Sequence, residues 1–169
     1  MHKADGRRYL CGALLALAAG LAGVSPAPAE HANIDLSVTA RDGDAHAVTD
    51  EEPPEGGVIE RPILQVRVDE PLVMQFFFTN IYPHGVVKGV TVRYYVVRID
   101  ELGQKETPSL EYGEVVVEGA VNMNFKPDCR VGARLRFRIS EPGNYRVRVD
   151  SLNTASDHEH FAAIDIEAR

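Results

Sequence analysis

The chain has 169 residues, with 18 Lys and Arg against 25 Asp and Glu, a formal charge of −7. Three of the basic and one of the acidic side chains lie in residues 1–29, so the remainder carries −9. That balance excludes nucleic acid and anionic lipid headgroups as natural partners, since both require surplus Lys and Arg; cations, basic partners and neutral sugars fit better.

Lys3, Arg7 and Arg8 give the chain a basic start, and an apolar run rich in Ala, Leu and Gly follows from Tyr9 to Val24. Ala27 and Ala29 supply the small residues at the spacing a signal peptidase requires. The run is short of the about 20 residues a transmembrane helix needs. Cys11 stands at its front, where lipoprotein processing would need it at the back. Arg7-Arg8-Tyr9-Leu10 resembles a twin-arginine export signal, and an ordinary Sec leader fits equally well. Residues 1–29 are therefore expected to be a cleaved signal peptide. The mature protein, with no transmembrane span, is expected in the periplasm or outside the cell.

The remaining 140 residues make one domain. In 30–57, Ile34, Leu36 and Val38 alternate with polar residues in a short first strand. Residues 40–57 then read as an acidic, flexible, solvated loop that separates this strand from the body of the domain, 58–169. Strands are expected over 62–68, 72–79, 89–99, 114–118, 121–125, 133–139, 144–150 and 160–167. The continuous apolar run at 72–79 suggests a strand covered on both faces. In 89–99, Val97 and Ile99 leave the parity of Val90, Val92, Tyr94 and Val96, which suggests a bulge. No helix is expected. Short strands punctuated by Gly and Pro predict an all-β, antiparallel sandwich of about 7–9 strands. The mature part keeps one cysteine, Cys129, so no internal disulfide can form. The readings of Cys129 are a buried small hydrophobe, an intermolecular bridge, or a metal ligand.

Residues 133–149 carry a more specific pattern. Leu135 to Ile139 form a strand, Pro142-Gly143 a turn, and Tyr145 opens the next strand ahead of Val147 and Val149. This resembles the corner of immunoglobulin and fibronectin-III-like sandwiches. The resemblance implies that Pro142, Gly143 and Tyr145 are structural and that the Tyr145 hydroxyl bonds nearby backbone. Val147 stands where antibody-type domains have a cysteine, and the chain has no Trp; the resemblance is to the disulfide-free branches. An arch between two sheets would put Arg134, Arg136 and Arg138 on one outer face and Arg146 and Arg148 on the other, as solvated charges. A plain hairpin would gather all five on one face, where like charges repel.

One segment reads like a site. In an extended Asp157-His158-Glu159-His160, the imidazoles of His158 and His160 point the same way, inward with Ile164 and Ile166. Such a pair can hold Zn²⁺ or Cu²⁺, with His84, Asp157 or Cys129 completing the shell. A titrating structural hydrogen-bond network explains the same residues. No blue-copper spacing, calcium loop, nucleophile elbow or phosphate loop is present. The expected function is therefore an exported, non-catalytic β-sandwich that binds an unidentified protein or small ligand through loops 80–88, 101–109 and 151–160 at one end. The alternative is a periplasmic Cu- or Zn-binding protein built on His158 and His160.

Overall fold

The computed structural model of the protein describes residues 32–48, 60–81, 86–152 and 160–169. Among them there is no helix, and hence none long and apolar enough to cross a membrane. Nine strands among the described residues form two sheets packed face to face. They are β1 (Ala32–Thr39), β2 (Asp44–Val48), β3 (Ile63–Val66), β4 (Leu72–Asn80), β5 (Val87–Ile99), β6 (Val115–Phe125), β7 (Arg130–Phe137), β8 (Gly143–Leu152) and β9 (His160–Ala168). Sheet A has the order β2-β1-β4-β7 and sheet B the order β3-β9-β8-β5-β6.

Alternation places the core between the layers. From sheet A come Ile34, Leu36, Val38, Leu72, Met74, Phe76 and Phe78, all 0–3% exposed. Sheet B answers with Val90, Val92, Val96, Val147, Val149, Ile164 and Ile166. Two tilted aromatic pairs bridge the layers, Phe78 with Phe125 at 4.5 Å and Phe76 with Tyr94 at 5.4 Å between ring centroids. Such pairs add to the burial of their area, and they lie across a core that has neither Trp nor a disulfide. Asn80, fully buried, ties the last residue of β4 to the β6–β7 turn. Its amide nitrogen donates to the Phe125 carbonyl at 3.1 Å. Its backbone N–H reaches the Cys129 carbonyl, and its own carbonyl accepts from Asp128.

The arch is present: β7 lies in sheet A and β8 in sheet B. Several other expectations need correction. Residues 44–48 are a strand, not part of a loop, because β2 is a sheet edge that buries only Ala45 and so needs little apolar content. The turn before it is tight, with the Ala40 N–H donating to the Gly43 carbonyl at 2.8 Å. The first strand is likewise not set apart from the body, since β1 pairs with both β2 and β4. Residues 114–118 and 121–125 merge into β6, whose ladder with β5 runs through Gly119 and Ala120. The sheets are not wholly antiparallel, because β3 runs parallel to β9.

β4 is buried on one face only. Val73, Gln75, Phe77 and Thr79 are half-buried on the outer side. At the end of β5 a register shift falls between Val96 and Val97, but the extra residue is Val116 on β6. β5 itself keeps its alternation. Tyr95, Val97 and Ile99 point away from the main core and are buried instead with Leu110 and Val115, under residues 100–114.

Candidate functional site

The register settles which connections share an end of the sandwich. Thr91 of β5 pairs with Leu152, Ser151 with His160, and Ala32 with Asn80. The strand ends that flank 82–85 and 153–159 are therefore together. Residues 101–109 follow Ile99, which pairs with Asn144 at the opposite end, so the three expected binding loops do not form one cluster. Of the expected metal ligands, His84, Asp157 and His158 lie outside the described residues. His160 opens β9 and is 9% exposed, and its carbonyl accepts from the Ser151 hydroxyl at 3.3 Å. Cys129 is a half-buried free thiol packed against the core. Among the described residues, no three His, Cys, Asp or Glu side chains come together as a metal shell.

The corner residues are where the pattern at 133–149 placed them. The Tyr145 hydroxyl donates to the Glu141 carbonyl at 3.0 Å. Gly143 has φ +151°, a backbone conformation that side chains resist. Arg98 clasps the corner from β5, bonding the Glu141 carboxylate at 3.1 Å and the Pro142 carbonyl at 3.2 Å, with its guanidinium 5.9 Å from the Tyr145 ring. Burial raises the Tyr145 hydroxyl above its ordinary range against a smaller lowering by Arg98.

The charges on the outer face of sheet B are mostly not solvated. Arg146 and Asp165, both fully buried, form an ion pair at 2.8 Å. The remaining Arg146 donors meet the Gln104 carbonyl at 2.7 Å, the Glu106 carbonyl at 2.9 Å and the Thr107 hydroxyl at 3.1 Å. The Gly103 N–H donates to Asp165 at 2.7 Å. The pair thus pins the 101–109 connection onto the sheet. Four residues along β8, the buried Asp150 accepts from both Arg93 and Arg148, and Arg148 lies over the Phe161 ring at 4.1 Å. Burial, then the Asp150 charge, pushes the Tyr95 hydroxyl well above its ordinary range. Alternation hid this network, because a polar residue on the outer parity of a strand ordinarily means solvent.

The outer face of sheet A is different: it is open. A shallow cleft of about 200 Å³ is lined by Asp35 and Ser37 from β1, His46 from β2, Gln75 and Phe77 from β4, and Arg130 from β7. Arg130 lies over the Phe77 ring at 4.0 Å and reaches Asp35 at 3.3 Å. His46 approaches the other Asp35 oxygen at 3.8 Å. Gly132 lies opposite Phe77 in the ladder, and a Cβ there would sit 2.5 Å from the Phe77 ring and 2.7 Å from the Phe76 carbonyl oxygen. The glycine therefore lets the ring lie down over β7. Arg134 and Arg136 follow along the exposed side of β7. The sequence reading missed this face: His46 sat in a supposed loop, and Phe77 in a strand thought to be covered on both sides.

No protein-family model matches the sequence, and neither does any curated protein. Among solved structures, the C-terminal domain of Wzt is similar at 9% identity and a TM-score of 0.46, over 84% of this chain and 75% of that one. A CARDB domain from Pyrococcus furiosus, solved with di-metal ions, is similar at 11% identity and 0.44, over 82% and 94%. The soluble domain of PmoD from Methylocystis is similar at 13% and 0.40, over 80% and 90%.

Proposed function

We propose that this protein is an exported, non-catalytic β-sandwich binding module of the immunoglobulin-like kind, whose binding surface is the outer face of sheet A. The superfamily reading rests on three features. They are the tyrosine corner at Tyr145, the β1-β4-β7 order facing β9-β8-β5, and the arch that carries the chain from β7 to β8. Export rests on the leader-like residues 1–29.

The observation that carries the binding role is the cleft itself. Asp35, His46 and Arg130 converge there from three strands of a rigid sheet, and the guanidinium is held by both a carboxylate and a ring. A charged fork fixed in place before the ligand arrives loses little freedom on binding. The Ser37 hydroxyl in the same cleft donates to the Gln75 carbonyl at 3.3 Å.

The test is retention. Immobilised protein is challenged with cell-envelope fractions, alongside a Phe77→Ala/Arg130→Ala variant checked for its fold by circular dichroism. Material held by the parent and released by the variant supports the reading. A substrate turned over by the parent, with turnover abolished by one point substitution, overturns it.

A further inference from the structure

Three strands of sheet A place a polar row across the cleft, and β7 extends it. His46 pairs with Ser37, Ser37 with Gln75, and Gln75 with Arg134. All four side chains project from the outer face, His46 and Arg134 exposed and the middle two half-buried. At strand spacing, the row runs about 14 Å from β2 to β7. Beside it stands Arg130, already oriented by Phe77 and Asp35.

We infer that this row is a subsite for an acidic oligosaccharide, a carboxylate-bearing sugar chain lying across the strands, with Arg134 and Arg130 taking its carboxylates and His46, Ser37 and Gln75 its hydroxyls. The inference rests on the binding-module reading and deepens it. Charge points to an anion: three arginines, Arg130, Arg134 and Arg136, share the face with two carboxylates, Asp35 and Asp44, in a chain whose total is −7. Among the described residues no carboxylate pairs with Arg134 or Arg136. Arginine suits a carboxylate better than lysine does, because its planar fork meets both oxygens.

The polar row points to a hydroxylated ligand. The outward positions of β1 are Asn33, Asp35, Ser37 and Thr39, all polar, and Phe77, the aromatic side chain in the cleft, already carries the Arg130 guanidinium, which leaves little to anchor an apolar peptide side chain. An acidic peptide would instead add to the outer edge of β7, which among the described residues pairs with β4 alone. A second copy is disfavoured there, because antiparallel pairing of β7 with itself would set arginines against arginines.

Short oligogalacturonate, its methyl ester and poly-glutamate serve as probes, followed by amide NMR of the ¹⁵N-labelled protein. Expected are shifts at Ser37, His46, Gln75 and Arg134 with oligogalacturonate, and binding about tenfold weaker both for the methyl ester and in Arg134→Ala. Arg134→Lys, which keeps the charge and loses the fork, should fall between. The inference is overturned by an absence of shifts on this face, by unchanged affinity in Arg134→Ala or Arg134→Lys, or by poly-glutamate binding as well with shifts confined to β7. Failure here with envelope material still retained sinks the sugar and leaves the module; failure of both removes the module as well.

Discussion

Tyr145 shows how far one side chain can be read. The resemblance at 133–149 implies a bond from its hydroxyl to nearby backbone, and the Glu141 carbonyl accepts it at 3.0 Å. Removing that hydroxyl in Tyr145→Phe should cost about 1 kcal/mol in urea unfolding, the worth of one buried hydrogen bond. Tyr95 lies in the same predicted strand as Tyr94, on the opposite parity, and is 3% exposed beside the Asp150 carboxylate. Both phenols are raised above the usual value of about 10, so the folded state holds their protons more tightly than the unfolded chain does. Their contribution is complete below about pH 10 and is lost as pH rises beyond it. The urea midpoint should therefore fall above about pH 10, and less steeply in Tyr95→Phe. Gly132 makes a different point. Alanine there must displace the Phe77 ring or the β4 backbone, so Gly132→Ala should destabilise by about 1–3 kcal/mol in the same assay.

At the scale of elements, the patterns read well where a strand has one wet face and one dry face, and poorly elsewhere. β7 and β8 were placed closely, because Leu135, Phe137, Val147 and Val149 alternate cleanly. β2 escaped notice because an edge strand that buries one alanine carries almost no apolar signal. The end of β5 misled for the opposite reason: Val97 and Ile99 are buried on the outer face by a connection that no local pattern announces. That connection is held by Arg146 and Asp165. Arg146→Ala leaves a buried carboxylate without its cation and should cost about 3–5 kcal/mol. Amide exchange at 104–107 should quicken further than elsewhere, because the Gln104 and Glu106 carbonyls and the Thr107 hydroxyl lose the Arg146 donors there. Uniform acceleration across all strands would argue that the pair does not specifically pin this segment.

For the whole molecule, a fold held without an internal disulfide should be indifferent to reductant. Cys129 is the one cysteine after residue 29, so a thiol reductant should leave the melting temperature unchanged. A drop would reveal a bridge between chains. Protein recovered from its native compartment should begin near Glu30 by intact mass. Metal analysis of the same sample bears on the alternative built on His158 and His160: stoichiometric Cu or Zn lost in His158→Ala/His160→Ala would favour it.

The sequence by itself determined the all-β class and most strand positions, and the pattern at 133–149 pointed to the corner tyrosine; arch or hairpin stayed open until β7 and β8 were seen in different sheets. The class, the strands and the corner depend on residues close together in the chain, through alternation and turn chemistry. Tertiary structure alone decided which outward residues are dry. Arg146 and Arg134 stand at equivalent alternating positions, yet one is sealed under a loop against Asp165 and the other faces solvent across from Gln75 and His46. Burial of a sheet's outer face is set by distant segments that fold over it, and nothing in the local period of two records whether they do.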